Sequence, residues 1–213
     1  LREHGKGAGV AVIGSVHDEM AEAVEAVIRS VVGCETARVN RDLAVPLTHT
    51  IDQPETLGVD RALCALAAFR KTEQACGVID AGTAITVDFI DGKGVFHGGA
   101  ILPGGRMMLG AMRVGAAQLP ELPWPPATEP PEAMGRNTSE AMMVGAIAAA
   151  RGAVRHLIEQ YSEFYGAYPQ VIATGGDAAL LFDDDGLVEH IIPDLQLMGL
   201  RLCLEHARGQ ADS

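Results

Sequence analysis

From residue 77 to residue 101 the chain is dominated by Val, Ile, Ala and Thr, and the run is broken at Ala81-Gly82 and again at Asp91-Gly92-Lys93-Gly94. β-branched side chains fit a pleated, half-buried surface, so such runs are strands, and glycine-bearing breaks fold them back on one another. The segment predicts strands over 77–80, 83–90 and 95–101, the last two as a hairpin pair. Whatever else the chain forms has to pack around that sheet.

The flanks alternate strand and helix, which is α/β grammar. A short strand over 10–16 leads into a helix whose apolar side carries Met20, Val24, Val27, Ile28 and Val31. After a polar segment with Pro46 and Pro54, a second helix is predicted from near Asp60 to about Gly77, with Leu63, Leu66, Ala67 and Phe69 on one side. A helix over 104–117 follows. Six prolines then forbid a regular ladder over 119–131, which reads as a loop or lid. The longest helical pattern spans 138–161, and its small residues Gly145, Ala148, Ala149 and Gly152 offer a face for another helix. A strand over 170–173, a helix over 178–182 and a closing helix over 195–207 complete the chain.

With 213 residues, 48% of them apolar, the chain can bury a real core. Its formal charge of −12 repels phosphate backbones, which argues against nucleic acid as a partner. No apolar run suggests a bilayer span, so no membrane is expected. The four cysteines, Cys34, Cys64, Cys76 and Cys203, form no C-x-x-C pair and read as free thiols in a reducing, cytoplasmic setting. The methionines at 107, 108, 112, 142 and 143 read as gap fillers.

Four short segments carry chemistry. In the run from Asp80 to Asp88, an acid ends a buried strand and a Gly-Thr turn follows. Gly82 admits close backbone approach, Thr83 adds a hydroxyl, and the Asp80 carboxylate suits a cation; an ordinary hairpin with an acid at its edge fits equally well. Gly98 and Gly99, after His97, allow backbone to approach a ligand, or mark a bulge. In Gly58-Val59-Asp60-Arg61 the acid stands at a helix start, where it caps the first turn; beside an Arg it also suits a kinase for a small carboxylic acid. Thr174-Gly175-Gly176, after an apolar strand, is a place where a nucleotide lies against bare backbone.

Taken in order, Gly58-Val59-Asp60-Arg61, Asp80-Ala81-Gly82-Thr83-Ala84-Ile85-Thr86, Gly98-Gly99-Ala100-Ile101-Leu102-Pro103-Gly104, Gly135-Arg136-Asn137-Thr138 and Thr174-Gly175-Gly176 resemble type III pantothenate kinase. The resemblance implies the actin-like, ribonuclease H-like α/β fold: two lobes with mixed sheets flanked by helices, here an N-terminal lobe over 1–75 and a C-terminal lobe over 76–213 with a dimerisation helix. It also implies transfer of the ATP γ-phosphoryl group to pantothenate, the first step of coenzyme A synthesis, by a homodimer using Mg²⁺ and a monovalent cation, K⁺ or NH₄⁺. Carried over residue by residue, Asp60 is the general base, and Gly58, Val59, Asp60 and Arg61 hold pantothenate with Arg61 facing its carboxylate. Thr138 touches pantothenate at the dimer interface, Asp80 binds the monovalent cation, and Gly82, Thr83, Gly98, Gly99, Gly175 and Gly176 meet ATP.

The sequence departs from the family at two places. The family opens on a strand bearing Asp-x-Gly-Asn-Thr, which holds ATP phosphates and magnesium; no such run precedes Val10, so an incomplete first lobe is expected. A family tyrosine seven residues before the Gly-x-Asp-Arg glycine is Ile51 here. Two alternatives to a pantothenate kinase follow: an impaired homologue that binds ligand or regulates, and a kinase for another small hydroxy acid.

Overall fold

The structure, a computed structural model describing residues 9–126 and 133–211, contains two sheets. The smaller pairs β1 (Val10–Ile13) with β2 (Glu35–Arg38) in parallel. Helix α1 (Asp18–Val27) and a π-helical turn over Ile28–Val32 join them, and Gly33 closes the turn at a φ of 71°. The larger sheet contains β3 (Thr48–His49), β4 (Cys76–Ala81), β5 (Ala84–Ile90), β6 (Val95–Pro103), β7 (Gln170–Thr174) and β8 (His190–Ile191). Their order is β3-β6-β5-β4-β7-β8, with β4-β5 and β5-β6 antiparallel and the other pairs parallel.

Helices cover both faces of this mixed sheet: α2 (Val59–Thr72), α3 (Gly105–Gly115), α4 (Thr138–Tyr165), α5 (Ala178–Phe182) and α6 (Leu195–Ala211). Successive strand side chains point to opposite faces, so a sheet buried on both sides needs unbroken apolar runs rather than alternation. Ile79, Ala81, Ile85, Val87, Val171 and Ala173 pack in one cluster with Met142, Ala146, Ala150, Val154 and Ile158 of α4. Val78, Ile90, Ile172 and Phe96 pack in another with Cys64, Ala65 and Ala68 of α2 and Leu195 of α6. The expected α/β class, a mixed sheet flanked by helices, is what forms.

Several boundaries moved for local reasons. The second helix stops at Thr72, because Glu73 adopts a left-handed φ of 53° and sends the chain into β4 at Cys76 rather than on to Gly77. The first strand ends at Ile13, three residues short of the predicted 10–16. Asn137 caps α4 by accepting from the Glu140 N–H at 2.9 Å, while Glu140 accepts from the Arg136 N–H at 2.7 Å. This reciprocal cap fixes the helix start at Thr138, as expected. Of the proline-rich loop or lid over 119–131, residues 127–131 lie outside the described residues.

One expectation about faces is corrected, that of α1. On α1 the apolar side faces outward: Met20 is 66% and Val27 59% exposed, while Ala21 and Glu25 are buried. On the inward side Glu25 lies within ion-pair reach of Arg29, Arg38 and Arg41, and buried Arg38 also meets Asp18. On α4 the small residues Gly145, Ala148, Ala149 and Gly152 are exposed or nearly so, and the buried stripe runs through Met142, Met143, Ala146, Ala150, Val154 and Ile158. That helix is also long and apolar enough to satisfy a length-and-composition test for a membrane span, contrary to the sequence reading. Its stripe packs on the sheet, which is how the core helix of a globular unit meets the same test. Met142 and Met143 fill the core, whereas Met107 is 48% exposed. The four cysteines are free thiols, as predicted.

α2 and α6 touch backbone to backbone at Gly199, where a Cβ would press into the Leu63 carbonyl well inside contact distance. Gly199→Ala is therefore expected to destabilise the protein by about 1–3 kcal/mol through overpacking. Urea unfolding of the variant beside the parent measures this.

Candidate active site

The site is built where the start of α2 crosses the middle strands of the large sheet. Gly58 precedes the helix, and a Cβ there would stand 2.6 Å from Asp60 Oδ1, so glycine leaves room for that carboxylate. Asp60 Oδ1 accepts from the Arg61 backbone N–H at 2.9 Å, the helix-start role its position predicts. Val59 is buried among Val39, Leu63 and Leu66, so its side chain anchors the start of the helix. A cleft of about 660 Å³ borders Gly58 and Val59 and is lined also by Ser15, Arg38, Arg41 and Leu57.

Arg61 reaches from α2 to β5. Its Nε–H lies 3.1 Å from both oxygens of Asp88, its Nη2 donates to Asp88 Oδ1 as well, and the Phe96 ring centroid lies 5.9 Å from the guanidinium carbon. Asp88 is 2% exposed. Burial pushes its pKa upward, opposed by the hydrogen bond and charge of Arg61 and by a hydrogen bond from Thr86. Its cross-strand neighbour is Gly99, where any Cβ would stand 2.6 Å from Asp88 Oδ1 and closer still to the Val87 carbonyl. Gly99, expected to face ATP, is thus needed first to make room for Asp88. Gly98 holds a φ of 98°, open to glycine and strained for other residues, and lies against Ile51.

Asp80 stands near the end of β4, opposite Thr86 on one side and Thr174 on the other. Burial pushes its pKa up, and the charges of Asp60 and Asp88 push it further, so the three carboxylates share one electrostatic neighbourhood. Gly175, at a φ of 96°, presses its bare Cα against the Ala81 carbonyl and the Asp80 carboxylate; a Cβ there would lie 2.6 Å from Asp80 Oδ1. The turn is tied down by the Asp177 N–H donating to Ala81 O at 2.9 Å. Gly176 is exposed, with open space where its Cβ would be. The Gly82 N–H donates to Ala84 O at 3.0 Å, which closes the turn, and the Thr83 side chain is exposed. Among the described residues no group of three or more His, Cys, Asp or Glu side chains forms a metal cage. A cation at Asp80 would therefore take one carboxylate and complete its shell with carbonyls, water or phosphate oxygens.

Asp60, Arg61, Asp80, Gly82, Gly98, Gly99 and Gly175 are thus drawn to one side of the sheet from segments far apart in sequence. Thr138 is not: it is exposed at the first turn of α4, and among the described residues no hydrogen bond links it to the carboxylates. Asp88 and Thr86 stood in the segment singled out from the sequence but were given no role, and Tyr161 was missed. Tyr161 donates its O–H to Val87 O at 2.9 Å, and burial with the Asp88 charge lifts its pKa to about 12. Asp88 had a visible signal, since an acid between Val87 and Phe89 in an otherwise apolar strand demands a buried partner. The Trp124 ring was also missed: it covers Gly105, its Nε1–H donates to Asp177 at 2.8 Å, and its carbonyl accepts from Arg106 at 2.7 Å. These bonds fasten the described part of the proline-rich segment to the turn after β7.

Helices on both faces of a mixed sheet, with carboxylates and glycine backbone gathered across its middle strands, define an α/β protein with a candidate ligand-binding site at one helix start. The family model of type III pantothenate kinase matches residues 1–160. Relatives carrying that name include one from Rhodopirellula baltica, 42% identical over 146 residues, covering 68% of this chain and 51% of the relative. One from Syntrophotalea carbinolica is 31% identical over 198 residues, covering 93% of this chain and 76% of that one. One from Gluconobacter oxydans is 40% identical over 159 residues, covering 75% and 58%. A solved Campylobacter jejuni structure named for the Baf family of transcriptional activators superposes with a TM-score of 0.57 at 22% identity, over 91% of this chain and 81% of that one, a likeness of fold. This chain belongs to the type III pantothenate kinase family. It spans between about half and three quarters of the length of these three curated relatives.

The raised pKa of Asp80 has a definite sign. Its folded-state pKa lies above the unfolded value of about 3.9, so the buried charge opposes folding at neutral pH and ceases to do so once both states are protonated. Asp80→Asn is expected to raise the melting temperature by a few degrees at pH 7 and to lose that gain as pH falls through 4, read by thermal melts across pH. In the same strands, Gly99→Ala should lower stability by about 1–3 kcal/mol, because its Cβ has no space beside Val87 and Asp88; denaturant titration gives the value.

Proposed function

We propose that this chain serves in the ATP-dependent phosphorylation of pantothenate to 4′-phosphopantothenate, the entry to coenzyme A synthesis. The observation that carries the reading is the gathering of Asp60, Arg61, Asp80 and the bare backbone of Gly175 on one side of the sheet, in a chain of this family. The Asp60 carboxylate takes the proton of the primary hydroxyl as its oxygen attacks the γ-phosphorus, and the bond to the bridging oxygen breaks to release ADP. In support, Asp60 is half-buried and accepts a single hydrogen bond among the described residues, so lone pairs remain for a proton. Arg61 offers remaining N–H donors to the substrate carboxylate.

Phosphoryl transfer depends on positioning and on neutralising charge at the transferred group. Gly175, Gly176 and Thr83 are assigned to ATP, and Asp80 to the monovalent cation, K⁺ or NH₄⁺. When bound, that cation and Mg²⁺ supply positive charge to the phosphate oxygens. The raised pKa of Asp80 fits this assignment, because a carboxylate that is costly to bury alone is relieved by a counter-charge. A homodimer belongs to the same reading: Thr138 stands exposed and apart from Asp60, so its contact with pantothenate needs a partner subunit. A cytoplasmic location accords with ATP use and free cysteines. The lobes are assigned to 1–75 and 76–213, with α2 bridging them through its packing on the large sheet.

A second reading, a related kinase for another small hydroxy acid, draws support from Ile51. Its Cδ1 would lie 3.1 Å from a Cβ at Gly98, so an alkyl group forms the wall beside the glycine pair.

In a coupled ADP-release assay with pantothenate, Mg²⁺ and K⁺, Asp60→Asn should lower kcat at least ~100-fold while leaving the melting curve nearly unchanged. Equal turnover in variant and parent would remove Asp60 from the mechanism. Replacing K⁺ by Na⁺ should reduce the rate if Asp80 holds the cation.

A further inference from the structure

We propose that Asp88 is a positioning residue for substrate recognition: it fixes the Arg61 guanidinium so that its remaining edge is presented to the carboxylate of the hydroxy acid. The inference rests on the kinase reading above and assigns a role to a residue outside the resemblance.

The geometry is specific. Asp88 occupies the Nε–H and one Nη2 hydrogen of Arg61, and a guanidinium carries five N–H donors, so the three on the opposite side remain for a ligand. The Phe96 ring lies beside the same guanidinium and limits its rotation. Asp88 is itself held: it is buried, bonded by Thr86, and seated in the gap left by Gly99. A long side chain that samples several rotamers is thereby reduced to one orientation before substrate arrives, which removes an ordering cost from binding. The anchor also keeps the guanidinium from folding back on the neighbouring Asp60, whose carboxylate has to stay open to a proton.

Charge alone would predict the reverse effect. The Arg61–Asp88 pair is net neutral, and a second anion nearby is repelled by Asp88, so deleting that charge would strengthen carboxylate binding if attraction were only coulombic. Directional N–H donors favour the opposite sign, because a planar carboxylate is recognised by two parallel N–H bonds in a fixed fork. The two accounts therefore predict opposite outcomes for one substitution.

The full-length kinase, with Asp88→Asn, is assayed with pantothenate and with its neutral alcohol analogue, in which the carboxylate is replaced by a hydroxymethyl group. Asparagine keeps the size of the side chain, and circular dichroism reports folding. The expected result is a fall of about tenfold or more in the preference for pantothenate over the alcohol, expressed as the ratio of kcat/KM values, carried mostly by KM for pantothenate, with KM for ATP unchanged. Thr86→Val, which removes a single bond to Asp88, is expected to lower the preference in the same direction by about two- to threefold and serves if Asp88→Asn does not fold. Unchanged or increased preference in whichever variant folds overturns the positioning role while the kinase reading stands. A parent protein that transfers no phosphoryl group to either compound overturns the kinase reading, and the inference with it.

Discussion

The contact on which the site depends is the buried ion pair between Arg61 on α2 and Asp88 on β5. An unpaired charge in a core is expensive, and removing one partner of such a pair leaves the other without compensation. The pair therefore holds α2 to the sheet at one orientation about the helix axis. Asp60 is the preceding residue on the same helix turn, and Gly58 sits where the Asp60 carboxylate needs space. The register of β5 against β6 serves the same contact, because Gly99 and no side chain lies opposite Asp88.

Glycine recurs here for two separate physical reasons. At Gly98 and Gly175 the backbone adopts φ values of 98° and 96°, which side chains resist. At Gly99 and Gly199 the backbone angles are ordinary, and what excludes a Cβ is a neighbouring carbonyl or carboxylate. Only Gly176, of the glycines assigned to nucleotide, has empty space in front of it. Glycine-rich stretches in this family member thus serve backbone conformation and close packing, and a sequence pattern alone does not divide the two.

The N-terminal unit obeys a different balance. β1 and β2 form a two-stranded parallel pair, held to α1 by a network in which Glu25, Arg38 and Arg41 are close, and the apolar stripe of α1 faces away from it. The large sheet, by contrast, is apolar on both faces and owes little to charge except at the site.

The sequence alone determined five of the eight strands, the α/β class, five of the six helices to within a few residues at most boundaries, and the acid-glycine motifs, because local propensity and period act over short distances; the short β2, β3 and β8, whose pairing is made across space, went unread. The Thr72 stop of α2 and the outward side of α1 escaped it, since each is decided by what lies across space. So did Asp88, whose meaning depends on an arginine 27 positions earlier in the chain. Local pattern names the elements and the chemistry available; only tertiary packing pairs one charge with another, and that pairing decides which acid is structural and which stays open to react.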